Sequence, residues 1–324
     1  MPNLLTRSDL RELSSDIGLL NEAIDRLEGS LIRSHLGDAG ETTFTGVKLP
    51  NGDELANQFT SCSTGASLRL FPRVHEGPRQ NARLGIRISR ETGEVETLIC
   101  LDDFNELRTA VPAAVGVRHL APECASRLTV LGSGAQAHSH VRTISQVMPQ
   151  LEAITVWSPT QSNRERFAEE VGRSLSVPVT AAPTVDAAVD GSDVITAAGR
   201  YHPGEPALPR PEAVSPGSLF VTMTGSGMNL LSLGARFVVP TRQHPELIAQ
   251  GFSSGFLSQA PPTMPSEAVE LADVMLDHEP ARSSSGQTVV FELGAPYLWD
   301  LPILDWINDW AIARELGTSI SFSD

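Results

Sequence analysis

The residues of this chain best suited to chemistry form a glycine motif near its middle. Gly132, Gly134 and Ala137 make the pattern G-x-G-x-x-A directly after the apolar run Leu128–Leu131. The first glycine permits a tight turn, the second lets the backbone approach a pyrophosphate, and the small alanine lets the following helix lie close to the strand. Free N–H groups at the start of that helix suit phosphate oxygens. The segment therefore predicts a dinucleotide site that includes Gly132, Ser133, Gly134, Ala135, Gln136 and Ala137.

The end of the next predicted strand indicates which dinucleotide binds. In dinucleotide folds, an Asp or Glu at this point hydrogen-bonds the ribose 2′-OH of NAD. Here the strand Ala153–Trp157 is followed by Ser158, Thr160 and Arg164, with no carboxylate before Glu165. Two hydroxyls and a guanidinium suit a 2′-phosphate. The sequence therefore favours NADP(H) over NAD(H).

The elements that position this motif predict an α/β fold with a doubly wound, Rossmann-type parallel sheet. From Arg127 onward, short apolar strands alternate with helices, which is typical of a parallel sheet with right-handed crossovers. The predicted strands are Leu128–Leu131, Ala153–Trp157, Val177–Thr180, Val194–Ala197, Ser218–Met223 and Phe237–Pro240.

The residues before the motif predict a separate α+β domain, and 324 residues suffice for two domains. A helix is expected over 6–36, followed by the strands Thr43–Leu49, Ala66–Phe71, Ala82–Ser89 and Val95–Leu101. Two helices separated at Pro112 are expected next, because proline breaks a continuous helix beyond its first turn. The segment Thr288–Gly317 predicts a strand and a long helix that returns to this first domain.

Composition excludes several classes of protein. The formal net charge of −15 leaves no basic surface for nucleic acid or for an anionic membrane. Cys62, Cys100 and Cys124 are too widely spaced for a disulfide framework or a structural metal site. No apolar run approaches the ~20 residues that span a membrane, and no signal-peptide pattern is present. We therefore expect a cytoplasmic protein without a metal ion.

Five segments resemble the ornithine cyclodeaminase/μ-crystallin family, over most of residues 15–317. They include the glycine motif with its Gln and the end of the second strand of the dinucleotide domain. The matching segments are Leu107–Ala110, Val130–Ala137, Trp157–Thr160, Ser192–Thr196 and the C-terminal set Arg282, Phe291, Gly294 and Asp300.

The resemblance implies a homodimer that acts on a small carboxylated substrate. Proteins of this family reduce imines, oxidise amino acids, cyclise ornithine or lysine, or bind ligands together with NADPH. By this likeness, residues 1–124 form the substrate-binding and dimerisation domain, completed by the C-terminal helix 301–324. Residues 125–300 form the dinucleotide-binding domain.

Site residues follow from the same resemblance. Arg108 matches the arginine that grips a substrate carboxylate, a role suited to bidentate guanidinium geometry. Thr109 matches a residue close to the cofactor, and Thr196 and Ala197 end the strand that borders it. Lys48, the only lysine of the chain, lies near the position of a family arginine that faces the substrate. The expected proton donor is Lys48 or His75.

Two departures separate this chain from the cyclodeaminases. Ala66 stands where the family has a lysine, and Gly227 stands where it has an aspartate. Arg69 has the opposite strand parity from Ala66, so it is expected to face away from the site. These departures favour an NAD(P)H-dependent reductase or dehydrogenase that acts on the C=N or CH–NH bond of a small imino or amino acid, in a specialised biosynthetic pathway. The alternatives are a non-catalytic NADP(H)-dependent ligand-binding protein and, more weakly, an amino-acid cyclodeaminase.

Overall fold

The fold is taken from a computed structural model, which describes residues 1–13, 16–38, 40–50, 53–73, 83–101, 104–199, 208–223, 228–243, 246, 265–293 and 297–321. It contains two compact units. Unit 1 is formed mainly by Met1–Arg108 and Ala295–Asp324, and unit 2 by Thr109–His244 and Pro262–Gly294. The boundary thus falls at Arg108 rather than after Cys124, and the entire C-terminal helix belongs to unit 1.

The strands and helices are numbered in chain order. The strands are β1 (Asn3–Leu5), β2 (Glu41–Lys48), β3 (Glu54–Cys62), β4 (Gly65–Arg73), β5 (Leu84–Ser89), β6 (Val95–Cys100), β7 (Arg127–Leu131), β8 (Ala153–Trp157), β9 (Val179–Ala181), β10 (Val194–Ala197), β11 (Leu219–Thr222), β12 (Arg236–Val239), β13 (Val269–Glu270), β14 (Val289–Glu292) and β15 (Thr318–Ser319). The helices are α1 (Ile17–His35), α2 (Phe104–Leu120), α3 (Ala135–Ser145), α4 (Gln161–Leu175), α5 (Val185–Val189), α6 (Leu271–Met275) and α7 (Tyr297–Ala313), with short 3-10 helices at Pro211–Ala213 and Met228–Leu233.

Unit 1 is a seven-stranded sheet in the order β15-β1-β6-β5-β4-β3-β2, antiparallel except for the parallel pair β1 and β6. Helix α7 lies against β3, β4 and β5 and contacts α1. Because side chains alternate between the two faces of a strand, Gln58 and Thr60 of β3 face inward and are buried. The inner face of this sheet is therefore partly polar.

The N-terminal helix is shorter than predicted. Helix α1 begins at Ile17, where the Asp16 side chain accepts from the N–H groups of Gly18 and Leu19. Residues before it form turns, and Asp9 accepts from both the N–H and the hydroxyl of Thr6. Such local side-chain bonds compete with helix formation, which explains the late start.

Three strands of unit 1 were missed by the sequence analysis. β1 has three residues and β15 has two, too few for a periodicity to show. β3 pairs along its whole length with β2 and β4, but its inward positions include Gln58 and Thr60. Polar residues at buried positions hide the alternation of apolar and polar residues that marks a half-buried strand.

The prediction of two helices separated at Pro112 was wrong. Helix α2 runs unbroken from Phe104 to Leu120 with Pro112 inside it. The burial of α2 on almost every side offsets the helical hydrogen bond that proline removes. The ring of Phe291 packs against Gly116 so closely that a Cβ atom on residue 116 would lie 2.2 Å from it. Proline removes the helical donor to the carbonyl four residues earlier, which here is that of Arg108.

Unit 2 contains the predicted doubly wound sheet. All eight strands are parallel, in the order β13-β12-β14-β11-β10-β7-β8-β9. The chain passes outward from β7 through β8 to β9 and then returns to place β10 on the other side of β7. Ligands of such sheets bind at the carboxyl ends of the strands where the order reverses, which here are β7 and β10. None of the helices in the described residues is both long enough and apolar enough to cross a membrane.

Candidate functional site

The glycine motif lies at the carboxyl end of β7. Gly132 has φ +134°, and a Cβ atom there would lie 2.8 Å from the Gly199 nitrogen. Its N–H donates to the carbonyl of Trp157 at 2.7 Å, while Ala198 donates to the carbonyl of Leu131 at 2.9 Å. Only glycine fits this turn, because the chain following β10 passes directly against it.

The second glycine opens the space in front of helix α3. Gly134 is the N-cap of α3, is exposed, and has no heavy atom within 4 Å of the position that a Cβ would occupy. The N-cap makes no side-chain hydrogen bond, so it leaves the N–H groups of the first turn for a ligand. Ala137 is fully buried, as expected for the small residue that lets helix and strand approach. These residues fit the diphosphate of a dinucleotide.

Side chains next to this opening connect β7, β8 and α4. The Ser133 hydroxyl donates to the Ser158 hydroxyl at 2.9 Å, and Arg164 donates to the Ser158 carbonyl at 3.0 Å. Thr160 is exposed and caps α4 without a side-chain hydrogen bond. Ser158, Thr160 and Arg164 thus lie together at the end of β8, with no carboxylate between Trp157 and Arg164.

The first turn of α3 is connected to α2 by one side-chain contact. The Thr109 hydroxyl donates to Oε1 of Gln136 at 2.7 Å. Thr109 is buried, Gln136 is half-buried and the neighbouring Ala135 is exposed. The sequence predicted all three residues near the cofactor; Ala135 and Gln136 lie in the first turn of α3, and Thr109 of α2 contacts that turn.

The strand that ends at Ala197 contributes a buried hydroxyl. Thr196 is fully buried, and its Oγ1 lies 2.8 Å from Nδ1 of His140, which is 1% exposed. The Thr196 hydroxyl is therefore used within the core, and only Ala197 lies at the strand end. Burial lowers the pKa of His140 to about 4. His138 of the same helix is partly exposed, and its ring packs at a tilt against that of Phe167, with the ring centroids 4.4 Å apart.

Unit 1 holds a second polar centre around Asp300, which has no exposed surface. Oδ1 of Asp300 accepts from Nε of Arg108 at 2.9 Å. Oδ2 accepts from the Gln58 amide at 2.8 Å and from the guanidinium of Arg69. Asp300 is supplied by α7, Gln58 by β3, Arg69 by β4 and Arg108 by α2. We call these four residues the Asp300 cluster.

Arg69 corrects the sequence analysis. Its expected direction, away from the site, was wrong, because Arg69 is 1% exposed and shares Asp300 with Arg108. Ala66, with the opposite parity, is the residue whose side chain lies on the outer face. Burial and the charge of Arg108 lower the pKa of Arg69 to about 9. The signal that could have placed Arg69 inward was Asp300, which the sequence analysis named in the C-terminal family set without giving it a partner.

Burial also lowers the pKa of Arg108, and the attraction of Asp300 opposes that shift. Arg83 adds a further positive charge and Glu106 a negative one. A buried guanidinium paired with one carboxylate is suited to receive an anion, because its remaining N–H donors are poorly solvated.

Two expected proton donors are not brought to the Asp300 cluster by the described residues. Lys48 ends β2, is exposed, and lies opposite Glu54 in the strand register. Within the part of the chain that the structure describes, no hydrogen bond or ion pair joins Lys48 to the cluster. His75 lies outside the described residues, as does Gly227.

The comparisons with known proteins now identify the family. The model of the ornithine cyclodeaminase/mu-crystallin family matches residues 73–313. The chain belongs to this family. Its glycine turn, its parallel sheet and the buried Arg108 all lie within or beside the matched range.

Named relatives are similar at low identity. A Rhizobium meliloti protein, provisionally named as a dehydrogenase, is 24% identical over 264 residues, which are 79% of each chain. Ketimine reductase mu-crystallin of Rattus norvegicus is 33% identical over 102 residues, or 31% of each chain.

A solved structure shares the fold over the full length. The Δ1-pyrroline-2-carboxylate reductase of Thermococcus litoralis, determined with NADH and L-proline, has a TM-score of 0.79 at 17% identity. The match covers 98% of this chain and 100% of the other.

Proposed function

We propose that this protein is an NAD(P)H-dependent oxidoreductase. It acts as a reductase on the C=N bond of a small imino acid, or as a dehydrogenase on the corresponding CH–NH bond. The observation that carries the proposal is Arg108, a buried guanidinium oriented by Asp300 in a member of this family. A carboxylated substrate supplies the anion that such a group binds. The relatives named for ketimine and pyrroline-carboxylate reduction support the same class of substrate.

The work of this chain's own residues is binding and orientation. Gly132 and Gly134 leave room for the diphosphate, and the first turn of α3 donates to it. Arg108 holds the substrate carboxylate and so fixes the position of the C=N carbon. When bound, the nicotinamide supplies the hydride. The proton for nitrogen comes from Lys48, from His75 or from water.

We propose NADP(H) as the preferred cofactor. Arg164 lies at the end of β8 with its guanidinium 3.0 Å from the Ser158 carbonyl, next to the exposed Thr160. An arginine can accommodate the 2′-phosphate, and the acid that would hold a free 2′-hydroxyl is absent between Trp157 and Arg164.

We further propose a homodimer, built on the outer face of the unit 1 sheet. The strand register aligns one apolar row across five strands, made of Phe59, Leu68, Ile86, Leu98 and Leu4. Each of these side chains is half-buried or exposed, and Phe59 is 43% exposed. An apolar row of this length fits a second copy of the chain. A cytoplasmic location stays a prediction from the sequence.

A second candidate function is NADP(H)-dependent ligand binding without turnover. It is favoured by the donors to the Asp300 carboxylate within the described residues, which are Gln58, Arg69 and Arg108 and include no Lys, His, Cys or Tyr. The deciding experiment measures NADPH and NADH consumption with a panel of cyclic ketimine carboxylates. We expect turnover of at least one of them. Tight NADPH binding with no turnover across the panel would favour the binder, and steady ammonia release from ornithine or lysine would favour a cyclodeaminase.

A further inference from the structure

Asp300 divides its two carboxylate oxygens between different partners. Oδ1 accepts from Nε of Arg108, whereas Oδ2 accepts from the Gln58 amide and from Arg69. A carboxylate without exposed surface needs such donors, since an unpaired buried charge costs several kcal/mol. The sheet therefore holds one oxygen of Asp300, and the other oxygen holds Arg108.

The sheet side of this arrangement is a pair of side chains on neighbouring strands. Gln58 and Arg69 are directly opposite each other in the register of β3 and β4. Nη1 of Arg69 also lies 3.4 Å from Oε1 of Gln58, so the two side chains contact each other as well as Asp300. Two groups on two paired strands thus determine where the Asp300 carboxylate lies.

The contact to Arg108 involves Nε, the inner nitrogen of the guanidinium. A hydrogen bond at Nε sets the rotation of the guanidinium plane and does not use the edge formed by the two terminal nitrogens. That edge can grip a carboxylate with two parallel hydrogen bonds. Asp300 therefore orients Arg108 without occupying the donors that a substrate needs.

We infer that Asp300 is a positioning residue of the reaction, acting through Arg108, with Gln58 and Arg69 fixing Asp300. This inference rests on the proposed function of Arg108 as the carboxylate ligand. It assigns to the C-terminal helix a role in substrate orientation in addition to its role in packing unit 1.

Asp305 offers a matched control on the same helix. It accepts from Nε of Arg87 at 2.5 Å and from the Thr64 hydroxyl at 2.9 Å. Arg87 in turn donates to the carbonyls of Thr64 and Ile88. This second carboxylate–guanidinium pair is satisfied by groups of the sheet, and no hydrogen bond or ion pair among the described residues joins it to Arg108.

The test is a double-mutant cycle of Asp300→Asn with Arg108→Ala, measured as kcat/KM on Δ1-pyrroline-2-carboxylate. We expect Asp300→Asn alone to lower kcat/KM by at least about 10-fold, with most of the loss in kcat because orientation is lost. In the Arg108→Ala background the same change should cost less than about 3-fold. The NADPH affinity of every variant should stay within twofold of the wild-type value. The control Asp305→Asn should lower Tm, and its effect on kcat/KM should be the same in the wild type and in the Arg108→Ala background.

An equal loss from Asp300→Asn in both backgrounds would overturn the inference, because it would show a purely structural effect. If Asp300→Asn does not fold, Arg69→Gln replaces it in the cycle, with the same expected coupling and the same contradicting result. If the wild type turns over no ketimine, the proposed function fails. The same four variants are then compared by the Tm increase that L-proline causes in each. The coupling between Asp300 and Arg108 is thus tested separately from turnover.

Discussion

Arg69 and Arg108 contact opposite oxygens of one fully buried carboxylate, that of Asp300. Arg69 comes from a strand of unit 1, Arg108 is the last residue of α2 that belongs to unit 1, and the carboxylate comes from the C-terminal helix. One acid between two bases leaves positive charge at the group proposed to bind substrate.

Arg108→Ala should raise the KM for a carboxylated imine by about 100-fold, because a charge-assisted bidentate contact of roughly 2–3 kcal/mol is lost. NADPH affinity should be nearly unchanged. Steady-state kinetics and a fluorescence titration with NADPH measure the two effects. Equal damage to cofactor binding would count against the carboxylate role.

Gly134→Val should abolish NADPH binding, because the side chain would fill the space assigned to the diphosphate. Gly286→Val is the matched control, since Gly286 also has open space at its Cβ position and belongs to the same unit. Calorimetric titration with NADPH compares the two variants. Normal NADPH affinity in Gly134→Val, with an unchanged Tm, would contradict the assignment of the diphosphate to this position.

Arg164→Gln should weaken NADPH binding by about 10-fold and NADH binding much less, because only NADPH carries the 2′-phosphate. Arg166 lies on the same helix, is 67% exposed and forms an ion pair with Glu170, so Arg166→Gln is the control. The readout is the ratio of the two dissociation constants. A parallel loss for both cofactors would contradict the proposed preference for NADP(H).

The buried His140 predicts a pH dependence of stability. Its pKa is about 4 in the folded protein, below the value near 6.5 expected after unfolding. The unfolded state therefore takes up a proton first as pH falls. His140 should destabilise the protein progressively between pH 6.5 and pH 4, by up to about 3 kcal/mol. Urea unfolding of the wild type and of His140→Gln across this range tests it, and parallel pH profiles would refute it.

Much of unit 2 could be predicted from sequence, because its strands are continuous apolar runs separated by helices of clear period. β7, β8 and β10 lie within one residue of their predicted bounds. The Asp300 cluster was predicted only in part. Asp300 was noted through the family resemblance, but its partners Gln58 and Arg69 meet it across a large separation in sequence. Strand parity distinguishes the two faces of β4, yet it does not tell which face the C-terminal helix covers.

Helix α2 shows a different limit of sequence reasoning. Pro112 predicted a break, and only the tertiary environment explains why the helix continues. The fit of Phe291 against Gly116 depends on a strand far along the chain. The continuity matters for the site, because Arg108 and Thr109 are successive residues of this one helix. Tertiary packing thus outweighs the helix-breaking propensity of Pro112 in the helix that contains Arg108, the proposed carboxylate ligand.

The most direct test compares two cyclic imines that differ only in the carboxylate, Δ1-pyrroline-2-carboxylate and Δ1-pyrroline. The account predicts that the wild type consumes NADPH with the carboxylated imine at a kcat/KM at least about 100-fold higher, and that Arg108→Ala largely abolishes this preference. Equal turnover of the two imines by the wild type, or an unchanged preference in Arg108→Ala, would contradict it.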